Sequence, residues 1–218
     1  MPNRFLFWKR AGSSGLWLGQ YSQCGKGSAP RRCRCPPLSF GGGSGCRRRH
    51  RPARCGAFDD CLNAIQHRNL TGAVRDWIQA GRPFLGICVG YQALFDRSEE
   101  FNSCAAGLGI FSGPVVRFTA TESEPNLKIP QIGWNQVAIS RPGCPMFDGI
   151  PDQSYFYFVH SYFPRPLDST LVAGSTTYGE PFAAAVCRQN VWATQFHPEK
   201  SQSVGLQLLR NFATFARR

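Results

Sequence analysis

The chain has 218 residues, with 25 Lys and Arg against 13 Asp and Glu, a formal net charge of +12, and ten cysteines. No run is long and apolar enough to span a bilayer. Phe5-Leu6-Phe7-Trp8 is too short for a secretory signal core and is cut off by Lys9-Arg10, so neither a membrane protein nor a secreted disulfide scaffold is indicated.

The charge is confined to one part of the chain. Up to Gly56 there are 12 Lys and Arg and no Asp or Glu, whereas from Ala57 onward 13 basic residues meet 13 acidic ones. Cys24, Cys33, Cys35, Cys46 and Cys55, half of the cysteines, also fall in the basic quarter. Apart from Phe5-Leu6-Phe7-Trp8 and Leu16-Trp17-Leu18, this segment has no helical or strand periodicity. Its Gly41-Gly42-Gly43-Ser44-Gly45 and Arg47-Arg48-Arg49 runs read as low-complexity chain. Residues 1–55 are therefore set apart as an anomalous basic segment, expected to be disordered or out of frame, and 56–218 as the folded domain. Three readings of the segment come from its composition. The arginines suit a nucleic-acid-binding arm, but no binding motif accompanies them. Cys33, Cys35, Cys46, His50 and Cys55 could hold a metal, but Cys-x-Cys is not a usual zinc spacing. A transit peptide would be basic and acid-poor, but not so rich in Gly and Cys.

From Ala57 onward the pattern is that of one α/β domain. Cys61 to Gln79 reads as a helix pair with Gly72 near a boundary, and Gly81-Arg82-Pro83 as a turn. Phe84-Leu85-Gly86-Ile87 is a short apolar run suited to a buried strand, and Tyr91 to Phe95 has the spacing of a helix's opening turns. Strands are predicted at Val115 to Phe118, Val137 to Ile139, Ser154 to Val159, Leu171 to Ser175, Phe182 to Val186 and Val191 to Phe196. An amphipathic helix over Ser203 to Ala216, apolar at Val204, Leu208, Phe212 and Phe215, closes the domain.

Gly86-Ile87-Cys88-Val89-Gly90 places a cysteine on a strand-to-helix elbow. Such a turn pushes a nucleophile out of the sheet, and flanking glycines remove side chains that would clash. The N–H groups at the helix start lower a thiol's pKa and hold an oxyanion. A thiolate nucleophile needs a base, and the base needs a carboxylate to orient it. His197 and Glu199, two apart across Pro198, supply both on one face of an extended segment. Because Cys88 must stay reduced to act, Cys61, Cys104, Cys144 and Cys187 are taken as free thiols and the setting as cytoplasmic.

Gly86-Ile87-Cys88-Val89-Gly90-Tyr91-Gln92 together with Gln195-Phe196-His197-Pro198-Glu199 resembles the class I (triad) glutamine amidotransferases. Within them the closer match is the branch that serves imidazole glycerol phosphate synthase in histidine biosynthesis. Gly107-Leu108-Gly109-Ile110-Phe111, Ile129-Pro130-Gln131-Ile132-Gly133-Trp134-Asn135, Tyr157-Phe158-Val159-His160-Ser161-Tyr162 and the continuation into Lys200-Ser201 follow that branch in order and spacing. The resemblance runs from about Gly56 to the C-terminus. It implies a flavodoxin-like, mostly parallel sheet flanked by helices, with the N-terminal strands in doubt. It also implies hydrolysis of glutamine to glutamate and ammonia through a γ-glutamyl thioester, without metal or organic cofactor. Ammonia would pass to a (β/α)8 cyclase subunit in a heterodimer, and neither nucleic acid nor membrane is involved.

The same resemblance assigns roles. Cys88 is the nucleophile, His197 the proton carrier and Glu199 its orienting carboxylate. Val89 N–H donates to the oxyanion, with Gly56 as a candidate second donor. Gln92 and Glu100 contact the substrate, Glu100 through the α-ammonium, and Ser161 and Tyr162 hold it through their backbone. His160 reads equally as a hydrogen-bonded core histidine and as a functional one. Lys200 and Gln131 to Trp134 are candidate partner contacts, although an ordinary solvated lysine explains Lys200 as well. Two other functions stay open: a partner-independent cysteine hydrolase of the same fold, and an inactive or poorly folded remnant.

The first 55 residues depart from the family. Their number suits the family's opening strand, helix and following strands, but the residues do not, until Gly56-Ala57-Phe58-Asp59-Asp60 resumes the pattern. Correct length with Arg/Gly/Cys/Pro-rich composition is what out-of-frame translation of a GC-rich gene would produce, and this fourth reading fits best. The central strand and its neighbour are then expected to be absent or poorly formed. The turn that provides the second oxyanion donor is replaced by Pro52-Ala53-Arg54-Cys55-Gly56.

Overall fold

A computed structural model of the chain describes residues 57–218, except 101, 102, 104 and 123, together with the backbone of two earlier strands. These are β1 (Arg4–Trp8) and β2 (Leu16–Tyr21). They are followed by α1 (Ala57–His67), α2 (Leu70–Gln79), β3 (Phe84–Ile87), α3 (Val89–Gln92), β4 (Arg97–Ser98) and β5 (Pro114–Arg117). Then come β6 (Gln131–Ile139), β7 (Ser154–His160), β8 (Tyr162–Pro164), β9 (Val172–Tyr178), β10 (Glu180–Arg188), β11 (Val191–Thr194) and α4 (Gln202–Phe215).

Eight strands form one mixed sheet in the order β1-β2-β3-β11-β10-β9-β6-β7, and β4-β5-β8 form a second, small one. In the large sheet the parallel ladders are β2 on β3 and β3 on β11, and in the small one β4 is parallel to β5. The remaining neighbours of the large sheet are antiparallel. The parallel part of the large sheet is centred on β3 and includes β11, and the C-terminal ends of these two strands carry the elbow cysteine and the His-Pro-Glu turn. The strands doubted from the sequence are present in backbone outline. They coincide with the two apolar runs of the segment, which alone offer the residues a strand beside a buried neighbour requires. The remaining residues before Ala57, including Gly56 and Cys24, Cys33, Cys35, Cys46 and Cys55, lie outside the described residues.

Apolar residues split between two cores, one on each face of the sheet. On β3, Phe84 joins one core while Leu85 and Ile87 join the other; on β11, Val191 and Ala193 are divided in the same way from Trp192. This alternation is the period-two pattern of a strand covered on both sides. α1 covers one face with Phe58, Cys61, Leu62 and Ile65, and α2 adds Val74 and Ile78. Left-handed Asn69 makes the short corner between these helices, so the predicted pair is separated there and Gly72 lies inside α2. The opposite face is closed by α4, whose Phe215 stacks on Trp192 at 4.9 Å between ring centroids.

The helix predicted from Tyr91 to Phe95 is a single turn, Val89–Gln92. The carbonyls a longer helix would use internally are taken elsewhere: Ala93 accepts from Leu108 N–H, and Leu94 from the N–H groups of Ile110 and Phe111. The elbow therefore offers backbone donors but no extended dipole, because a macrodipole needs several aligned turns.

Candidate active site

Cys88 joins β3 to α3 with φ 52° and ψ −111°, a backbone conformation rare for a residue with a side chain. Its N–H donates to the Thr194 carbonyl at 2.8 Å, and its own carbonyl accepts from Tyr91 and Gln92. The strained angle is thus held from both sides. Gly86 makes the turn sterically feasible: a Cβ there would come within 2.9 Å of the Gly90 carbonyl oxygen. The N–H of Val89 stands at the helix start, where no intrahelical acceptor reaches it.

β11 runs parallel to β3 with Thr194 opposite Ile87. This register carries the chain after Thr194 to the same sheet end as Cys88. His197 is buried there, and its Nδ1 lies 2.6 Å from Glu199 Oε1. That contact sets the tautomer and leaves Nε2 to the thiol side. Nε2 is buried and has no hydrogen-bond partner among the described residues. Burial lowers the imidazole's pKa, but the Cys88 sulfur and then Glu199 outweigh it and push it up to about 10. The raised pKa is that of an imidazolium held by the Cys88 sulfur on one side and oriented by a carboxylate on the other.

The turn is built rigidly. His197 N–H donates to Tyr157 on β7 at 2.9 Å. Ser201 Oγ donates to the His197 carbonyl at 2.7 Å and accepts from Tyr157 N–H at 3.0 Å. α4 begins directly beneath it, and a Cβ on Gly205 would lie only 2.0 Å from the Pro198 carbonyl oxygen. Gly205→Ala is expected to force helix and turn apart, costing about 3 kcal/mol. Its melting temperature should fall by roughly 6–12 °C in a calorimetric scan.

Gln92 is buried, and its Nε2 donates to the Tyr162 carbonyl at 2.8 Å and to Gln195 Oε1 at 3.2 Å. The Tyr162 carbonyl also faces His160 Nδ1 at 2.9 Å. Because a carbonyl only accepts, His160 carries its proton on Nδ1. Burial, aided by His197 nearby, pushes the His160 pKa down to about 3 although the Tyr162 bond opposes it. His160 is therefore neutral, and its rings are packed among Phe118, Phe158 and Phe182. It has the surroundings of a core histidine. The carbonyl of Ser161 accepts from Phe118 N–H at 3.1 Å.

Glu100 is bound to the start of α1. Its Oε2 accepts from Phe58 N–H at 2.8 Å at the start of α1. Burial raises its pKa against the N–H groups of Phe58 and Ala57, which lower it. Sequence reasoning also missed Gln195 and Ser201. Gln195 belongs to the stretch that leads into His-Pro-Glu, and its Nε2 lies 3.7 Å from Cys88 Sγ. It is two residues before His197, and that spacing was the available signal. Ser201 carries no chemical signature in sequence, since its role depends on the approach of β7.

On the outer side of β6 and β7, Ile132 is 63% exposed, Trp134 45% and Tyr155 55%, whereas Gln131 is buried. Strand alternation therefore divides the stretch expected to touch a partner. Trp134 meets Tyr157 edge-on at 5.9 Å, and Lys200 Nζ stands 5.8 Å from the Tyr157 ring centre. Among the described residues no helix is long and apolar enough to cross a membrane. Their four cysteines, Cys61, Cys88, Cys144 and Cys187, are all free and buried.

A family model, glutamine amidotransferase class-I, matches residues 63–215. The chain belongs to that family. The imidazole glycerol phosphate synthase subunit HisH of Syntrophotalea carbinolica is 49% identical over 159 residues, 72% of this chain and 76% of that protein. HisH of Methylococcus capsulatus is 51% identical over 161 residues, 72% and 73% of the two chains. A crystal structure of a glutamine amidotransferase shares the fold, with a TM-score of 0.54 at 17% identity and coverage of 74% and 75%.

Proposed function

We propose that this amidotransferase is the glutaminase subunit of an imidazole glycerol phosphate synthase, with residues 56–218 as its catalytic domain and residues 1–55 arising out of frame. The observation that carries the chemical reading is the Cys88–His197–Glu199 arrangement, in which buried His197 is oriented by the more exposed Glu199 and held charged by the Cys88 sulfur. HisH relatives near 50% identity support the substrate and the branch.

In the proposed reaction the Cys88 thiolate attacks the side-chain amide carbon of glutamine. The carbonyl π electrons move to oxygen, and Val89 N–H donates to the resulting oxyanion. His197 transfers its proton to the amide nitrogen, the C–N bond breaks, and ammonia leaves behind a γ-glutamyl thioester. Neutral His197 then accepts a proton from water as the hydroxyl attacks the thioester, and glutamate departs with the thiol regenerated. Glu199 keeps the His197 proton-bearing nitrogen directed correctly throughout. Gln92 and the backbone of Ser161 and Tyr162 border the substrate. Glu100 is retained as the carboxylate that receives the α-ammonium, and Gly56 as second oxyanion donor.

Ammonia is passed to a cyclase subunit in a cytoplasmic heterodimer, where it serves the lyase step of histidine biosynthesis. Ile132, Trp134 and Tyr155 offer the exposed apolar surface such a partner needs. Tyr157 ties this surface to the His197 backbone. Mixing the full chain with a cyclase subunit should release glutamate from glutamine, and Trp134→Asp should weaken co-purification and lower that release by about tenfold or more. Glutamate release that needs no cyclase and is insensitive to Trp134→Asp would favour the partner-independent hydrolase instead.

A further inference from the structure

The amide chain from Tyr162 to Cys88 has only one consistent direction. The Tyr162 carbonyl cannot donate, so the group of Gln92 placed 2.8 Å from it is the amino group. The second hydrogen of that group goes to Gln195 at 3.2 Å, which must therefore present its oxygen. With Oε1 engaged in that direction, Gln195 is left pointing Nε2 at Cys88 Sγ, 3.7 Å away. The residue is fully buried and its backbone N–H donates to the Ala184 carbonyl at 2.8 Å, so the bond from Gln92 is what fixes the direction of its amide. A sulfur anion accepts a hydrogen bond far better than a thiol does, so a fixed N–H donor favours the charged nucleophile.

We propose that Gln195 is a positioning residue that directs and stabilises the Cys88 thiolate through its side-chain N–H, its own orientation being set by the Tyr162 carbonyl through Gln92. The proposal rests on Cys88 being the nucleophile. It adds a neutral second support on the side of the sulfur served by the Gln92–Gln195 pair, distinct from the ionic support of His197.

The test is the pH dependence of Cys88 alkylation by iodoacetamide, followed on the full chain by the mass of the Cys88 peptide. No glutamine or partner is needed. Gln195→Met keeps the length of the side chain and removes both polar atoms. Its alkylation midpoint is expected about one pH unit above that of the parent chain. Gln195→Glu keeps the acceptor toward Gln92 but sets an oxygen against the sulfur, and its midpoint should rise further. Gln92→Leu frees Gln195 to rotate and should shift the midpoint the same way by less. A merely structural residue would leave the midpoint unmoved in variants that melt cooperatively, and that result overturns the proposal. Should Gln195→Met fail to fold, Gln92→Leu decides alone, a raised midpoint supporting the proposal and an unchanged one overturning it. Failure of the underlying reading is separate: Cys88→Ala would then still hydrolyse glutamine, whatever the alkylation curves show.

Discussion

Cys88→Ala is expected to lower glutamine hydrolysis by about four orders of magnitude or more, while the cyclase subunit continues to use free ammonia at its usual rate. The sulfur contributes covalent chemistry that nothing else described at this sheet end supplies. Cys61 is the neighbouring thiol, but burial, together with Cys88 and Asp60, pushes its pKa up to about 12. A protonated, enclosed thiol cannot substitute for the elbow cysteine. Folding should be little changed, since Ala fits wherever Cys does and the strained backbone is held by the bonds to Thr194, Tyr91 and Gln92. The measurement is glutamate released with and without the cyclase subunit, beside an ammonia-fed assay of the same mixture. Residual glutamine use near the parent rate would dismiss Cys88 as nucleophile.

His197→Ala is expected to cost about 10⁴-fold in kcat/KM and to change two pH profiles. The substitution removes both the proton for departing ammonia and the cation that favours the thiolate. Iodoacetamide should then react with Cys88 only at distinctly higher pH. The second profile is stability. The folded pKa of His197 is raised to about 10 from an ordinary 6.5, so the folded state holds this proton more tightly than the unfolded state. That contribution to stability is fully present below pH 6.5 and is lost as pH rises through about 10. The parent chain's melting temperature should therefore fall more steeply between pH 7 and 10 than that of the variant. Parallel curves would mean that no charged pair exists in the fold.

The parts of the site legible in the sequence were those in which chemistry and local backbone coincide. The glycines beside Cys88 signal a tight turn with a purpose, and Gly86 indeed leaves no room for a Cβ. The spacing of His197 and Glu199 across Pro198 signals that the two side chains meet, and they do at 2.6 Å, but across a 3-10 turn over Pro198–Lys200 rather than on the extended segment expected. What remained hidden depends on tertiary approach. The single turn of α3 is not extended because residues 108–111 capture the carbonyls of Ala93, Leu94 and Phe95, and local spacing over Tyr91 to Phe95 carries no trace of that. Gln195 reads as a polar residue in a strand until its amide is seen between Gln92 and the sulfur. The bond of Glu100 to the start of α1 could not be anticipated without knowing where that helix begins. Predicted strands were short by several residues at β6 and β10 because polar and apolar residues alternate there, or because both faces are covered. Apolar density was enough to mark Phe5-Leu6-Phe7-Trp8 and Leu16-Trp17-Leu18 as exceptions in a segment otherwise unlike a strand, and the backbone strands lie on them.

The most direct test of the central claim is to treat the full chain with 6-diazo-5-oxo-norleucine, a glutamine analogue that alkylates a nucleophile poised at the amide carbon's position. Peptide masses then show which residue carries the adduct. The triad account predicts one adduct per chain, on Cys88, suppressed by excess glutamine and absent from Cys88→Ala. Labelling spread over other cysteines, or labelling of Cys88 that glutamine does not suppress, would contradict it.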